Sequence, residues 1–156
     1  MASINHLALH VTDLDRSEKF YDPVCTFLGY DKHARNGAII LYRKKHGIGD
    51  LILLRVRKAG QGKSYDPEAP GFSHLAWDAE SRKQVDDLHR LLKKHRATIL
   101  DAPCEMNYSR GYYAVWFQDP DGMKLELAHT PHQSPDSKTK KQTTAKRPAP
   151  QTRKKT

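Results

Sequence analysis

The chain has 156 residues, enough for one domain or two small packed modules and too few for several independent domains. Apolar residues make up 37% and charged residues 29%; no stretch approaches the roughly eighteen consecutive apolar residues of a membrane span, and Met1-Ala2-Ser3-Ile4-Asn5-His6 lacks the basic and apolar segments of a signal peptide. The net charge of +9 is concentrated at one end: residues 131–156 hold eight Lys and Arg against one Asp, while the first 130 hold 19 basic and 17 acidic groups, a balance that gives little support to a nucleic-acid-binding body.

Residues 4–9, Ile-Asn-His-Leu-Ala-Leu, form the first strand signal. Thr12-Asp13-Leu14-Asp15 then offers a helix N-cap, with an acidic residue three positions after the Thr. Leu14, Phe20, Tyr21, Val24 and Leu28 share one face of a helix over 14–28 that Gly29 ends and that Pro23 is expected to kink or split. Strand-like runs follow at 38–43 and 51–56, separated by Lys45-His46-Gly47-Ile48-Gly49. The stretch 58–71 is rich in Gly, Lys, Pro and Asp and reads as a linker. Residues 72–77, Phe-Ser-His-Leu-Ala-Trp, repeat the His-Leu-Ala of residues 6–8 at a distance of 68 positions. Ser81-Arg82-Lys83-Gln84 is a capping box, and Val85, Leu88, Leu91 and Leu92 make the stripe of an amphipathic helix. Strands are predicted at 97–100, 112–117 and 123–129, the last two joined by Asp119-Pro120-Asp121-Gly122, a tight type I turn.

The pattern is strand, helix, strands, twice over: an α+β fold of paired βαβββ modules, about 3–57 and 72–130, within a domain of residues 1–130. Residues 131–156 hold four Pro and no aliphatic residue larger than Ala, so they cannot bury enough apolar surface to offset the entropy of ordering. They are expected to form a disordered basic tail, at most a weak nonspecific contact for nucleic acid. Two cysteines, Cys25 and Cys104, make no disulfide framework and suit a cytoplasmic protein with free thiols.

Alternate strand residues share a face. His6, Ala8 and His10 therefore point away from Leu7, Leu9 and Val11; His74 and Ala76 oppose Leu75 and Trp77; Lys124, Glu126 and Ala128 oppose Leu125 and Leu127. Three strands each carry a metal-competent side chain, His6, His74 and Glu126, on the face turned from the helix-packing one. Two imidazoles and a carboxylate are a common facial set for Fe(II), Mn(II), Ni(II) or Zn(II) and leave positions open for substrate. His10 lies about 13 Å along the strand from His6, too far for the same metal; it is either a substrate contact or acid–base group, or a polar residue at the cleft mouth. The loop Asn107–Tyr113 is polar and aromatic, with Tyr108 and Tyr113 as candidate substrate contacts, and Arg55 is a third at the end of its strand.

Residues 5–17 with Phe20-Tyr21, residues 72–76, and Phe117-Gln118-Asp119-Pro120-Asp121-Gly122-Met123-Lys124-Leu125-Glu126-Leu127 resemble the opening, second-module and terminal motifs of the vicinal oxygen chelate superfamily. Its members include glyoxalase I, extradiol dioxygenases, fosfomycin-modifying enzymes and metal-free bleomycin-binding proteins. The resemblance covers about residues 3–130. It implies a metal cleft between modules, with His6, His74 and Glu126 as ligands and Glu126 also as a candidate base. It also implies a small oxygenated or electrophilic substrate, lyase, isomerase or addition chemistry, and a homodimer with shared clefts. Drug or metabolite sequestration and ring-cleaving dioxygenation are the alternatives. The strand 51–56 offers Leu where glyoxalase I has a fourth, carboxylate ligand, and Trp116 stands where the dioxygenases have a Tyr.

Overall fold

The computed structural model describes residues 2–55, 65, 66, 68 and 70–131. The basic tail from 132 onward, residue 56 of the predicted strand 51–56, residue 57, and most of the predicted linker 58–71 lie outside the described residues. The first half runs His6–Val11 (β1), Leu14–Phe27 (α1), Tyr30–Arg35 (β2), Ile39–Lys44 (β3) and Asp50–Arg55 (β4). The second runs Leu75–Asp78 (β5), Arg82–Lys94 (α2), Thr98–Glu105 (β6), Tyr113–Gln118 (β7) and Lys124–His129 (β8). The two halves repeat one topology, with sheet orders β1-β4-β3-β2 and β5-β8-β7-β6, parallel between the first two strands and antiparallel beyond. This is the α+β architecture of paired βαβββ modules. Among the described residues no helix is long and apolar enough to cross a membrane.

The helices form as their caps and stripes require. In α2 the Ser81 hydroxyl accepts from the Gln84 N–H, while the Gln84 side chain accepts from the Glu80 N–H, one residue before the partner of a standard capping box. Val85, Leu88 and Leu92 are buried beneath it. In α1 the cap is Asp13 rather than Thr12, its carboxylate accepting from the Arg16 N–H. The helix runs continuously through Pro23, contrary to the predicted kink or split, with Tyr21, Val24 and Cys25 buried on either side of it. Proline removes one backbone bond, and the buried stripe outweighs that loss. Gly29 closes α1 in the left-handed conformation, φ +81°, which a side chain would resist.

The predicted strand at 38–43 is β3, and β2 before it is an additional strand. Its sequence, Tyr-Asp-Lys-His-Ala-Arg, is mostly exposed because β2 is a sheet edge, where charge blocks edge-to-edge pairing. The predicted strand at 97–100 extends to Glu105 as β6, an edge of the second sheet, which tolerates Pro103 through register shifts against β7.

The two halves share one apolar core, in which Trp77 donates to the Tyr30 hydroxyl at 3.2 Å. The turn Asp119–Gly122 ties them further. Asp119 accepts from the Asp121 and Met123 N–H groups, and the buried Tyr21 hydroxyl donates to it at 2.9 Å. Asp121 accepts from the Thr12 N–H, the Thr12 hydroxyl and Arg16, at 2.5–2.9 Å. Thr12 thus serves this turn instead of capping α1.

Candidate metal centre

In the second sheet β8 lies between β5 and β7, and its register places Ala76 and Trp116 on either side of Glu126. All three stand on the face away from α2, as strand alternation predicts. Glu126 is only 1% exposed. A buried carboxylate needs partners, and this one has two. The Tyr112 hydroxyl donates to Oε1 at 2.6 Å, and His74 Nε2 lies 3.5 Å from Oε2. The His74 ring meets Trp116 edge-on at 4.9 Å, and Lys124 Nζ lies over the Trp116 ring, 4.1 Å from its centroid.

Burial shifts both groups toward their neutral forms. Burial raises the Glu126 pKa, with the Tyr112 bond and nearby Lys124 opposing it. Burial, and then Lys124, lowers that of His74. At 3.5 Å the His74–Glu126 contact is too long for a strong hydrogen bond, and burial favours the neutral form of the ring. The separation also suits a shared cation: nitrogen and oxygen each bonded to zinc at about 2.1 Å stand about 3.4 Å apart in a tetrahedral site. His74 and Glu126 thus fit two adjacent positions around a divalent metal.

His6 is exposed on β1, its Nδ1 2.8 Å from the Asn5 side-chain oxygen. Among the described residues no three of His, Cys, Asp and Glu gather as a metal site, so His6 does not join His74 and Glu126 within one chain. His10 lines a cavity of about 370 Å³ with Leu7, Leu9, Phe72 and Met123, and that lining includes neither His74 nor Glu126. Arg55 pairs with Val11 and shares strand parity with the buried Leu51 and Leu53; it lines a polar hollow beside the start of α1, on the helix side of the sheet. Tyr113 also faces the helix layer, donating to Asp86 at 2.8 Å beneath the Arg82 guanidinium. Tyr108 is 69% exposed and packs edge-on against Tyr112 at 5.3 Å. Tyr112, which reaches Glu126, was not among the sequence candidates. Its parity with Ala114 and Trp116 was the available signal. Cys25 is buried and Cys104 exposed, and both are free.

The family model for the Glyoxalase/Bleomycin resistance protein/Dioxygenase superfamily matches residues 3–127. The chain is 30% identical over 126 residues to the Bacillus subtilis protein YqjT, covering 80% of this chain and 96% of that one. It is 32% identical over 130 residues to the glutathione transferase FosA of Serratia marcescens, covering 81% and 80%. Its fold is similar to a crystal structure of a glyoxalase/bleomycin resistance protein from Albidiferax ferrireducens, with a TM-score of 0.66, 26% identity, and coverage of 81% and 98%. The chain belongs to this superfamily.

Proposed function

We propose that this superfamily member is a divalent-metal-dependent enzyme whose centre is completed between two copies of the chain. His74 and Glu126 come from one subunit and His6 from the other. The observation that carries this reading is the half-site itself: a buried carboxylate and a neutral imidazole held 3.5 Å apart. The exposed position of His6, and the half-buried Ile39, Leu41, Ile52 and Leu54 on its face of the first sheet, support a partner surface there. Such a dimer is two-fold, with two equivalent centres.

When bound, a divalent cation supplies Lewis-acid polarisation to neighbouring oxygens of a small substrate. The chain's own residues do the rest. The Tyr112 hydroxyl holds Oε1, which leaves Oε2 toward His74. On leaving the cation, Glu126 would be the carboxylate placed to take a proton from the substrate. His74 stays neutral as a ligand. Trp116 walls the site from water. This arrangement suits lyase, isomerase or addition chemistry, and the similarity to a glutathione transferase supports the addition branch. The metal is one of Fe(II), Mn(II), Ni(II) and Zn(II), which accept this donor set.

Metal analysis of protein purified without chelator or affinity tag tests the proposal. About one divalent ion per chain is expected, lost on His74→Ala or Glu126→Gln with the fold retained. Stoichiometric metal that survives both substitutions would sink the assignment, and a metal-free protein that binds a drug or metabolite would replace it with sequestration.

A further inference from the structure

The two halves repeat one topology, but their helices end on different residues. Each helix is followed by a residue in the left-handed conformation, where a side chain crowds the backbone and glycine is the usual occupant. After α1 that residue is Gly29, φ +81°. After α2 it is Arg96, φ +55°, and among the described residues no other non-glycine has a positive φ. The Arg96 N–H donates to the Lys93 carbonyl at 3.1 Å, and the Ala97 N–H to that of Leu92 at 3.0 Å. These capping bonds use backbone groups alone and would form as well with glycine at 96. The cap therefore gives no reason for the arginine side chain.

That side chain lines a hollow of about 310 Å³ between α1 and the end of α2. Arg16, Lys19 and Phe20 line it from α1, His95 and Arg96 from α2, and Pro120 from the turn; neither His74 nor Glu126 reaches it. Four basic side chains thus converge there. Arg16 is paired with Asp121, but among the described residues Lys19, His95 and Arg96 form no ion pair. Asp119 is the one carboxylate in the lining. It is 6% exposed, and its oxygens accept from the Tyr21 hydroxyl and from the Asp121 and Met123 N–H groups. The dipole of α2 favours positive charge at its end, which suits Lys93, Lys94 and His95. It does not account for Lys19, which lies in the N-terminal half of α1. An unpaired lysine and arginine beside an imidazole and a second guanidinium match an anion of more than one charge. Phe20 and Pro120 add apolar surface, and the volume exceeds what a bare anion fills.

We infer that this hollow binds a small organic phosphate monoester, with Lys19 and Arg96 on the phosphate and the organic body against Phe20. The unfavourable backbone at residue 96 is then retained for the ligand and not for the fold. The site is separate from the metal centre and does not depend on it.

The test is calorimetry on the full chain at constant ionic strength, with adenosine monophosphate as the ester and inorganic phosphate and adenosine as its parts. Saturable binding of the ester at about one per chain is expected, tighter than that of either part. Lys19→Gln and Arg96→Gly should each lower the affinity about tenfold or more, the range for a hydrogen bond to a charged group. Arg96→Gly should also raise the melting temperature, because glycine suits the left-handed backbone. A purely structural arginine would not give these two effects together. His74→Ala should bind the ester as the unaltered chain does. The basic tail is the same in every variant, so binding through it would leave all affinities equal. Absence of binding by the ester and by phosphate, unchanged affinity in both hollow variants, or affinity lost in His74→Ala overturns the site. Equal affinity for phosphate and the ester overturns the organic ligand, and a lower melting temperature in Arg96→Gly overturns the role given to Arg96.

Discussion

The bond from Tyr112 to Glu126 offers a quantitative test of the site in the metal-free protein. Tyr112→Phe deletes one hydroxyl and keeps the ring that packs against Tyr108. The lost bond is 2.6 Å long and ends on a carboxylate that is 1% exposed, so water cannot readily replace it. Hydrogen bonds to charged groups contribute about 1.5–3 kcal/mol, or about one to two powers of ten in the folding constant. The loss should depend on pH. Burial raises the folded-state pKa of Glu126 above its unfolded value. Between those two values the native state holds more protons, and stability falls as pH rises through the window. The Tyr112 bond moderates that fall because it favours the ionised form. Urea unfolding of chelator-treated protein should therefore show the full penalty at pH 8. It should shrink to about 0.5–1.5 kcal/mol at the acid end of the folded range, where Glu126 is protonated and the bond is neutral. The same smaller loss is expected in the Glu126→Gln background, and Glu126→Gln alone should stabilise the metal-free protein at pH 8. A penalty that is equal at both pH values and persists in the Glu126→Gln background would refute the pairing.

A chain carrying His6→Ala mixed with one carrying Glu126→Gln should regain metal binding after subunit exchange: random pairing leaves about one quarter of the centres intact. No recovery after verified exchange, or a strictly monomeric metal-loaded protein by light scattering, rules out a shared centre. A chain ending at Thr130 should melt with the full chain and bind metal equally, because residues 132–156 carry no large apolar side chain to dock; a clear drop in melting temperature contradicts this. Asp121→Ala removes the acceptor for Thr12 and Arg16 and should lower the melting temperature by about 2–6 °C with the metal affinity of His74 and Glu126 nearly unchanged. Gly111→Ala should also destabilise, since Gly111 sits at φ +79° and an added Cβ would lie 2.9 Å from Pro131.

Strand alternation made much of the site legible in advance. The faces of His6, Ala8 and His10, and of Glu126 against Leu125 and Leu127, follow from period two once the strands are located. Alternation also bears on the residues that stand elsewhere. Arg55 shares parity with Leu51 and Leu53, which marks it as a helix-side residue, and Tyr113 shares parity with Val115 and Phe117. The adjacent Tyr112 has the parity of Trp116, but it precedes β7, where strand logic is weak until the hairpin register is known. Edge strands were the other blind spot. The apolar signal is absent from β2 and from Asp101–Glu105 because neither needs a buried face along its whole length. The role of Thr12 depended on Asp121, 109 positions away, and no local capping rule contains that distance.

The Asp-Pro-Asp-Gly turn has a consequence for sorting relatives. Across the boundary between halves Asp119 accepts from Tyr21, and Asp121 from Thr12 and Arg16, and neither bonds His74 or Glu126. The corresponding turn of the first half, Lys45–Gly49, has no acidic pair, so among the described residues this joint is made by the second half's turn and not by the first's. A descendant that lost His6, His74 and Glu126 would still need that joint to keep its halves together. A match to this stretch therefore gathers chains by architecture, whatever their chemistry. Positions 6, 74, 112, 116 and 126 are the ones at which catalysts and sequestering proteins in such a collection should diverge.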